Sequence, residues 1–155
     1  MDETDRAMLE CVADYQWGEG AGPALFAGNP EVTHTASGRP RQVRTDAGRL
    51  VTYATDGRFT LGFAGGERLQ ATLSPPRYRV VVGDESEPFV RDGKNVFAKF
   101  VQRADEGVRP GDEVLVVHAD GSLLAVGRAE LAGPELLDFQ SGEGVHVREG
   151  AGDPA

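Results

Sequence analysis

Glu85-Ser-Glu-Pro-Phe-Val-Arg-Asp-Gly-Lys-Asn-Val-Phe-Ala-Lys99 sets the frame for the C-terminal half of the chain. Pro88 can sit in the first turn of a helix but not in its interior, so Glu85–Arg91 reads as one or two helical turns. Gly93 supplies a reversal. Asn95-Val-Phe-Ala-Lys-Phe-Val101 then alternates with a period of two, the pattern of a strand with Val96, Ala98 and Phe100 toward a core. This order crowds Arg91, Lys94, Lys99 and Arg103 into one corner, and the only two lysines of the chain lie here. Gly93 lets a ligand approach the backbone closely, while Lys94 and Asn95 can donate to phosphate or 2′-hydroxyl oxygens. The plain alternative is that Lys99 is a solvated outward position beside core residues.

Outward from that corner, Arg79–Val82, Glu113–Val117, Leu123–Val126 and Gly144–Arg148 read as strands. Pro110-Gly111-Asp112 and Asp120-Gly121 supply turns. Pro134–Phe139 fits a short helix with Leu136, Leu137 and Phe139 inward. Five short strands with two short helical crossings predict a small, mainly β barrel or pseudo-barrel. Upstream, Met8, Leu9, Val12 and Tyr15 recur at helical spacing over Thr4–Gln16, with Cys11 beside the stripe as a buried, inert thiol. Gly18–Pro23 reads as a loop docked by Leu25 and Phe26. Arg41–Arg44, Leu50–Tyr53 and Phe59–Phe63 read as strands, with Phe59, Leu61 and Phe63 on one face and turns at Asp46-Ala-Gly48, Asp56-Gly57 and Gly65-Gly66. Ser74-Pro75-Pro76 marks a boundary. The expectation is an α+β chain: a helix-plus-sheet domain at 1–75, a mainly β domain at 76–150 and a disordered polar tail at 151–155.

At 155 residues the chain is long enough to bury roughly 70% of its unfolded surface as a single body. One cysteine excludes an internal disulfide and a multi-cysteine zinc cluster. No apolar run approaches the ~20 residues of a membrane span, and Met1-Asp2-Glu3 is not a signal peptide; the expectation is a cytosolic, soluble protein with no membrane partner. Net charge is −9, from 25 acids against 14 arginines and two lysines. Acidity with scarce lysine fits a chain kept soluble in concentrated salt, although a GC-rich genome also writes Arg for Lys. The charge is uneven: residues 1–30 carry −5, residues 31–81 carry +4 and residues 82–155 carry −8. A basic middle third in an acidic protein points to an anionic partner for one surface, and a solvated mixed-sign face accounts for it equally well.

Catalytic signals are poor. Ser86 lies in Asp-Glu-Ser-Glu-Pro rather than a nucleophile elbow, and Gly93-Lys94 is followed by Asn95 and Val96 rather than by Ser or Thr. Gly18-Glu-Gly-Ala-Gly22 follows a helix and lacks the strand that a dinucleotide loop needs. His34 in a polar loop, His118 at a strand end and outward His146 are isolated, and the pairs Asp84/Glu85 and Asp112/Glu113 sit in turns or strand starts. Neither catalysis, a metal nor a cofactor is expected of the chain alone.

Val80–Arg148 resembles a PUA domain, the RNA-binding module of pseudouridine synthases and archaeosine transglycosylases. The resemblance is carried by Glu85–Arg91, Gly93–Lys99, Arg109-Pro-Gly-Asp-Glu-Val114, Leu124-Ala-Val-Gly-Arg-Ala129 and the closing Gly-Val-His-Val-Arg148. Residues 5–73 resemble the small domain that precedes PUA in archaeal archaeosine tRNA-guanine transglycosylases and archaeosine synthases, with Asp14-Tyr-Gln-Trp-Gly18 the clearest match. The resemblance implies a pseudo-barrel that grips structured RNA, here the acceptor stem and 3′ end of tRNA. By position it implies RNA contacts at Gly93, Lys94 and Asn95, with Arg91, Lys99, Arg109 and Arg128 as neighbours. The transglycosylase barrel, its catalytic aspartates and its zinc cysteines have no counterpart in this sequence. The expected function is non-catalytic tRNA binding in support of a separate transglycosylase-like catalytic subunit, with Arg39, Arg41, Arg44, Arg49 and Arg58 extending the footprint. The rival is a protein-interaction module that stabilises a partner enzyme without touching RNA.

Overall fold

The computed structural model describes residues 1–154, which divide into two compact units at Leu73/Ser74. In the first, α1 (Glu3–Trp17) is capped by the Asp2 carboxylate, which accepts from the Asp5 N–H at 2.8 Å. Glu3 and Asp5 complement its positive end. Leu9, Ala13 and Trp17 form the buried stripe. Met8 and Val12 are only half-buried, Cys11 is exposed and Tyr15 is 96% exposed. Of the expected stripe Leu9 is core as read, but burial continues through Ala13 and Trp17 rather than Met8, Val12 and Tyr15, and the thiol expected to be buried faces solvent.

The predicted Gly18–Pro23 loop runs into a short helix, α2 (Ala21–Leu25), started by the Asp14 carboxylate, which accepts from the Gly22 N–H at 2.7 Å. Leu25 and Phe26 are fully buried, as docking requires. An antiparallel sheet follows in the order β1 (Glu31–His34), β2 (Pro40–Thr45), β3 (Gly48–Tyr53), β4 (Phe59–Leu61). β1 escaped the sequence reading because it is an edge strand with one half-buried residue, Val32, so no apolar alternation marks it. His34 therefore ends a strand, with Nε2 2.8 Å from the Asp5 carboxylate.

Gly65-Gly66 make no turn. They lie inside α3 (Phe63–Thr72), which begins at Phe63, so Phe63 does not extend the face of Phe59 and Leu61. A Cβ on Gly62 or Gly65 would collide with the backbone carbonyls of Arg49 and Leu50; the glycines let α3 lie directly on β3. Phe59 centres this core, 6.2 Å from Trp17, 5.8 Å from Phe26 and 5.5 Å from Tyr53, ring centroid to centroid.

The second unit holds β5 (Arg79–Val82), α4 (Glu87–Arg91), β6 (Val96–Phe97), β7 (Val101–Ala104), β8 (Glu113–His118), β9 (Leu123–Ala129), α5 (Gly133–Asp138) and β10 (Glu143–Gly150). The sheet order is β6-β10-β9-β8-β5-β7, antiparallel except for β5 and β8, which run parallel from Arg79↔Leu115 to Val82↔His118. The single strand expected over 95–101 is two. β6 pairs with β10 at one edge, β7 pairs with β5 at the other, and a 3₁₀ turn at Ala98–Phe100 carries the chain between them. Ala98 donates to the Gly142 carbonyl within that crossing. Six strands thus close a pseudo-barrel around Val80, Val116, Leu124, Leu136 and Val145. α5 turns only Leu136 inward; Leu137 and Phe139, expected in the core, are exposed because six residues present one face. The tail expected to be disordered from 151 onward is tied at its start, with Ala151 donating to Leu124 O and Gly152 to Arg91 O. Ala155 lies outside the described residues. Among the described residues no helix is long and apolar enough to cross a membrane.

Candidate nucleic-acid interface

α4 is short, with Pro88 in its first turn, and its one buried face is Val90. Phe89 is left outward at 62% exposure. The helix unwinds through N–H groups donated back from Asp92 to Pro88, Gly93 to Val90 and Lys94 to Phe89. Gly93 takes φ +91°, and the space its Cβ would occupy is open. Beyond it lies a cleft of about 570 Å³ lined by Phe89, Lys94, Asn95, Phe97 and Phe100, with the exposed Glu85 carboxylate also on its wall. Phe97 is 50% exposed and Phe100 half-buried. Lys94 and Lys99 are exposed, and Lys99 Nζ lies 5.1 Å from the Phe100 ring centroid. Aromatic faces, two ammonium groups and an unobstructed backbone turn thus share one edge of the barrel.

The remaining sequence-named residues are placed differently. Asn95 faces inward: Nδ2 donates to Glu143 at 3.0 Å and Oδ1 accepts from the Val147 N–H at 2.9 Å, tying the start of β6 to β10. Arg91 donates from Nε to Glu87 at 2.9 Å and from a terminal nitrogen to Gly152 O at 3.4 Å, bracing α4. Arg109 is exposed in the β7–β8 connection, where the Asp112 carboxylate accepts from its backbone N–H. Arg128, on β9, donates to Glu130 at 2.9 Å, and that carboxylate raises its already high pKa. The three phenylalanines were not named as candidates because two of them sat in an apparently regular strand. The signal available was that a helix confined by Pro88 cannot bury both Phe89 and Val90.

Histidines isolated along the sequence gain carboxylate neighbours in space. His118 Nε2 lies 2.6 Å from Asp84 and 3.9 Å from Glu87, and Nδ1 lies 3.2 Å from Asp120. The hydrogen bond to Asp84 raises the His118 pKa, helped by the charge of Asp120, and outweighs the opposing desolvation. Nδ1 also accepts from the Asp120 backbone N–H at 3.0 Å. His146 Nδ1 lies 3.0 Å from Glu143, near Glu130.

Residues 7–76 match the model of the patch-forming domain C2 of tRNA-guanine transglycosylase, and residues 78–151 match that of the PUA domain. This chain is a C2 domain followed by a PUA domain. It is 51% identical over 140 residues to the tRNA-guanine(15) transglycosylase of Pyrococcus abyssi, a match that covers 90% of this chain and 24% of the relative. The chain spans about a quarter of the length of the curated relatives that it matches. In fold it is similar to a hypothetical protein of Pyrococcus horikoshii OT3, with TM-score 0.70, 22% identity and coverage of 99% of this chain and 93% of that one. A conserved PUA domain protein of Thermoplasma acidophilum is similar at TM-score 0.67 and 21% identity, with coverage of 97% and 91%.

The C2 domain sorts its arginines into two groups. Arg39 lies 4.0 Å over the Tyr53 ring and donates to the carbonyls of Tyr53 and Ala54. Arg49 donates to Thr52 Oγ1 and to the carbonyls of Thr60 and Leu61. Both brace the sheet, whereas Arg41, Arg44 and Arg58 are exposed.

Proposed function

We propose that this chain binds tRNA without itself catalysing a reaction, in support of modification by a separate transglycosylase-type catalytic subunit. The observation that carries this reading is the cleft beside Gly93. Exposed phenylalanines cost solvation unless something covers them, and Phe89, Phe97 and Phe100 offer flat apolar faces on which unpaired bases stack. A volume near 570 Å³ falls within the roughly 300–1,000 Å³ of small-ligand pockets. Lys94 at the cleft supplies a point charge for phosphate, and Gly93 leaves the backbone open to close approach. Stacking on unpaired bases suits the single-stranded 3′ end of an acceptor stem, and Lys99 supplies further positive charge for the phosphate backbone. Arg91 and Asn95 hold the walls, and Arg109 and Arg128 play no part in this cleft. Binding that rests on stacking loses less to concentrated salt than binding that rests on phosphate contacts, consistent with a cytosolic protein suited to high salt.

The test is binding of the full chain to an unmodified tRNA transcript at low and high KCl, with an acceptor-truncated transcript as control. The reading expects binding that persists in salt and is lost on truncation. Lys94→Glu and Lys99→Glu should each weaken it while the fold stays intact. Absence of binding in either salt would overturn the RNA reading in favour of a protein-interaction module.

A further inference from the structure

The outward face of α1 has no partner within the C2 unit. Met8, Cys11, Val12 and Tyr15 stand at i, i+3, i+4 and i+7, forming a second apolar stripe beside the buried Leu9, Ala13 and Trp17. With Thr4, Ala7 and Gly57 they line a broad groove of about 900 Å³. In the run Asp14-Tyr15-Gln16-Trp17 three side chains are spent on the domain itself. Asp14 starts α2, Gln16 donates to Phe59 O at 2.9 Å and accepts from its N–H at 2.8 Å, and Trp17 stacks on Phe59. Tyr15, 96% exposed, is left pointing away.

From this face we infer that α1 is the docking surface for the catalytic chain of a transglycosylase, meeting it through an apolar ridge with a basic rim; the inference rests on the functional reading above. Charge selects the occupant. α1 carries four acids and one arginine, so a second copy would set like charges together and RNA would be repelled. A basic rim on a protein partner complements it. The length of the relatives supplies the identity: about three quarters of each lies outside the part that this chain matches, and their names assign them transglycosylase activity.

The test replaces Tyr15 with p-benzoylphenylalanine in the full chain, expressed in its own cells, followed by irradiation and identification of adducts by mass spectrometry. The same probe at Phe139 controls for exposure. The expected result is an adduct to a protein with a transglycosylase catalytic domain, formed from position 15 and not from 139, and reduced at least tenfold by Met8→Asp. Should Met8→Asp fail to fold, Cys11→Asp, at an exposed position, interrogates the same face. No adduct, an adduct to a second copy or to RNA, or one insensitive to these variants would overturn the inference. tRNA binding measured on the same samples separates the two readings, since an intact PUA cleft with no adduct at position 15 removes only the docking surface.

Discussion

Asn95 separates a residue that builds the cleft from one that reads the ligand. Truncation by Asn95→Ala removes a hydrogen bond to the Glu143 carboxylate, a class worth about 1.5–3 kcal/mol, and leaves the Val147 N–H without its acceptor. The site is part-buried, so water recovers some of the loss, and a net destabilisation of about 2–4 kcal/mol follows. For a domain of this size that corresponds to a fall in Tm of at least about 8 °C by scanning calorimetry. Amide exchange should accelerate at Val147. Asn95→Asp keeps the acceptor for Val147 but faces Glu143 with a second carboxylate. It should therefore be less stable than wild type at neutral pH, because two carboxylates then face each other across a part-buried contact. Affinity for tRNA, measured well below Tm, should change less than twofold in Asn95→Ala. A variant that melts like the wild type yet binds tRNA tenfold more weakly would refute this reasoning and return Asn95 to the ligand.

Three further outcomes are expected. Phe97→Ala, at a half-exposed position, should change Tm little but weaken tRNA binding by the value of one stacked base, about 1–3 kcal/mol or roughly 5–150-fold, read by fluorescence anisotropy. His118 has its pKa raised in the folded state above the ordinary 6.5, so the stability it gives is full below about 6.5 and is lost as pH rises through the raised value; His118→Gln should flatten that slope in a Tm-against-pH series. Gly65→Ala, forcing α3 off β3, should destabilise the C2 unit by about 1–3 kcal/mol in urea unfolding monitored at Trp17, the single tryptophan.

The sequence was most legible where apolar periodicity met punctuation. β5, bounded by Arg79 and Val82, and β8, beginning at Glu113, fall where their valine runs predict. It failed where long-range geometry overruled local pattern. Asn95–Val101 alternates like one strand, but the two ends pair with opposite sheet edges, which no local pattern encodes. Gly65-Gly66 reads as a turn because the strand carbonyl that demands glycine at 65 comes from Leu50, fifteen residues upstream. The candidate corner was marked in the sequence by its lysines and Gly93, whereas its aromatic walls appear only once Phe89 and Phe97 are seen to escape burial. α1 carries two apolar stripes that overlap in sequence, so Met8, Val12 and Tyr15 were assigned to the core that Ala13 and Trp17 occupy.

The parallel pairing of β5 with β8 also sets a timetable for synthesis. Elements of the first unit find their partners within Met1–Leu73, so that unit can complete itself while the ribosome is still adding the rest. The second unit cannot. β5 waits for β8, some 35 residues downstream, and β6 waits for β10, the last strand of the unit. Until Glu143 and Val145 emerge, the edge that carries Phe97 and Val96 has no neighbour. A premature stop between Ala129 and Glu143 would leave a finished C2 domain joined to a sheet with an open edge.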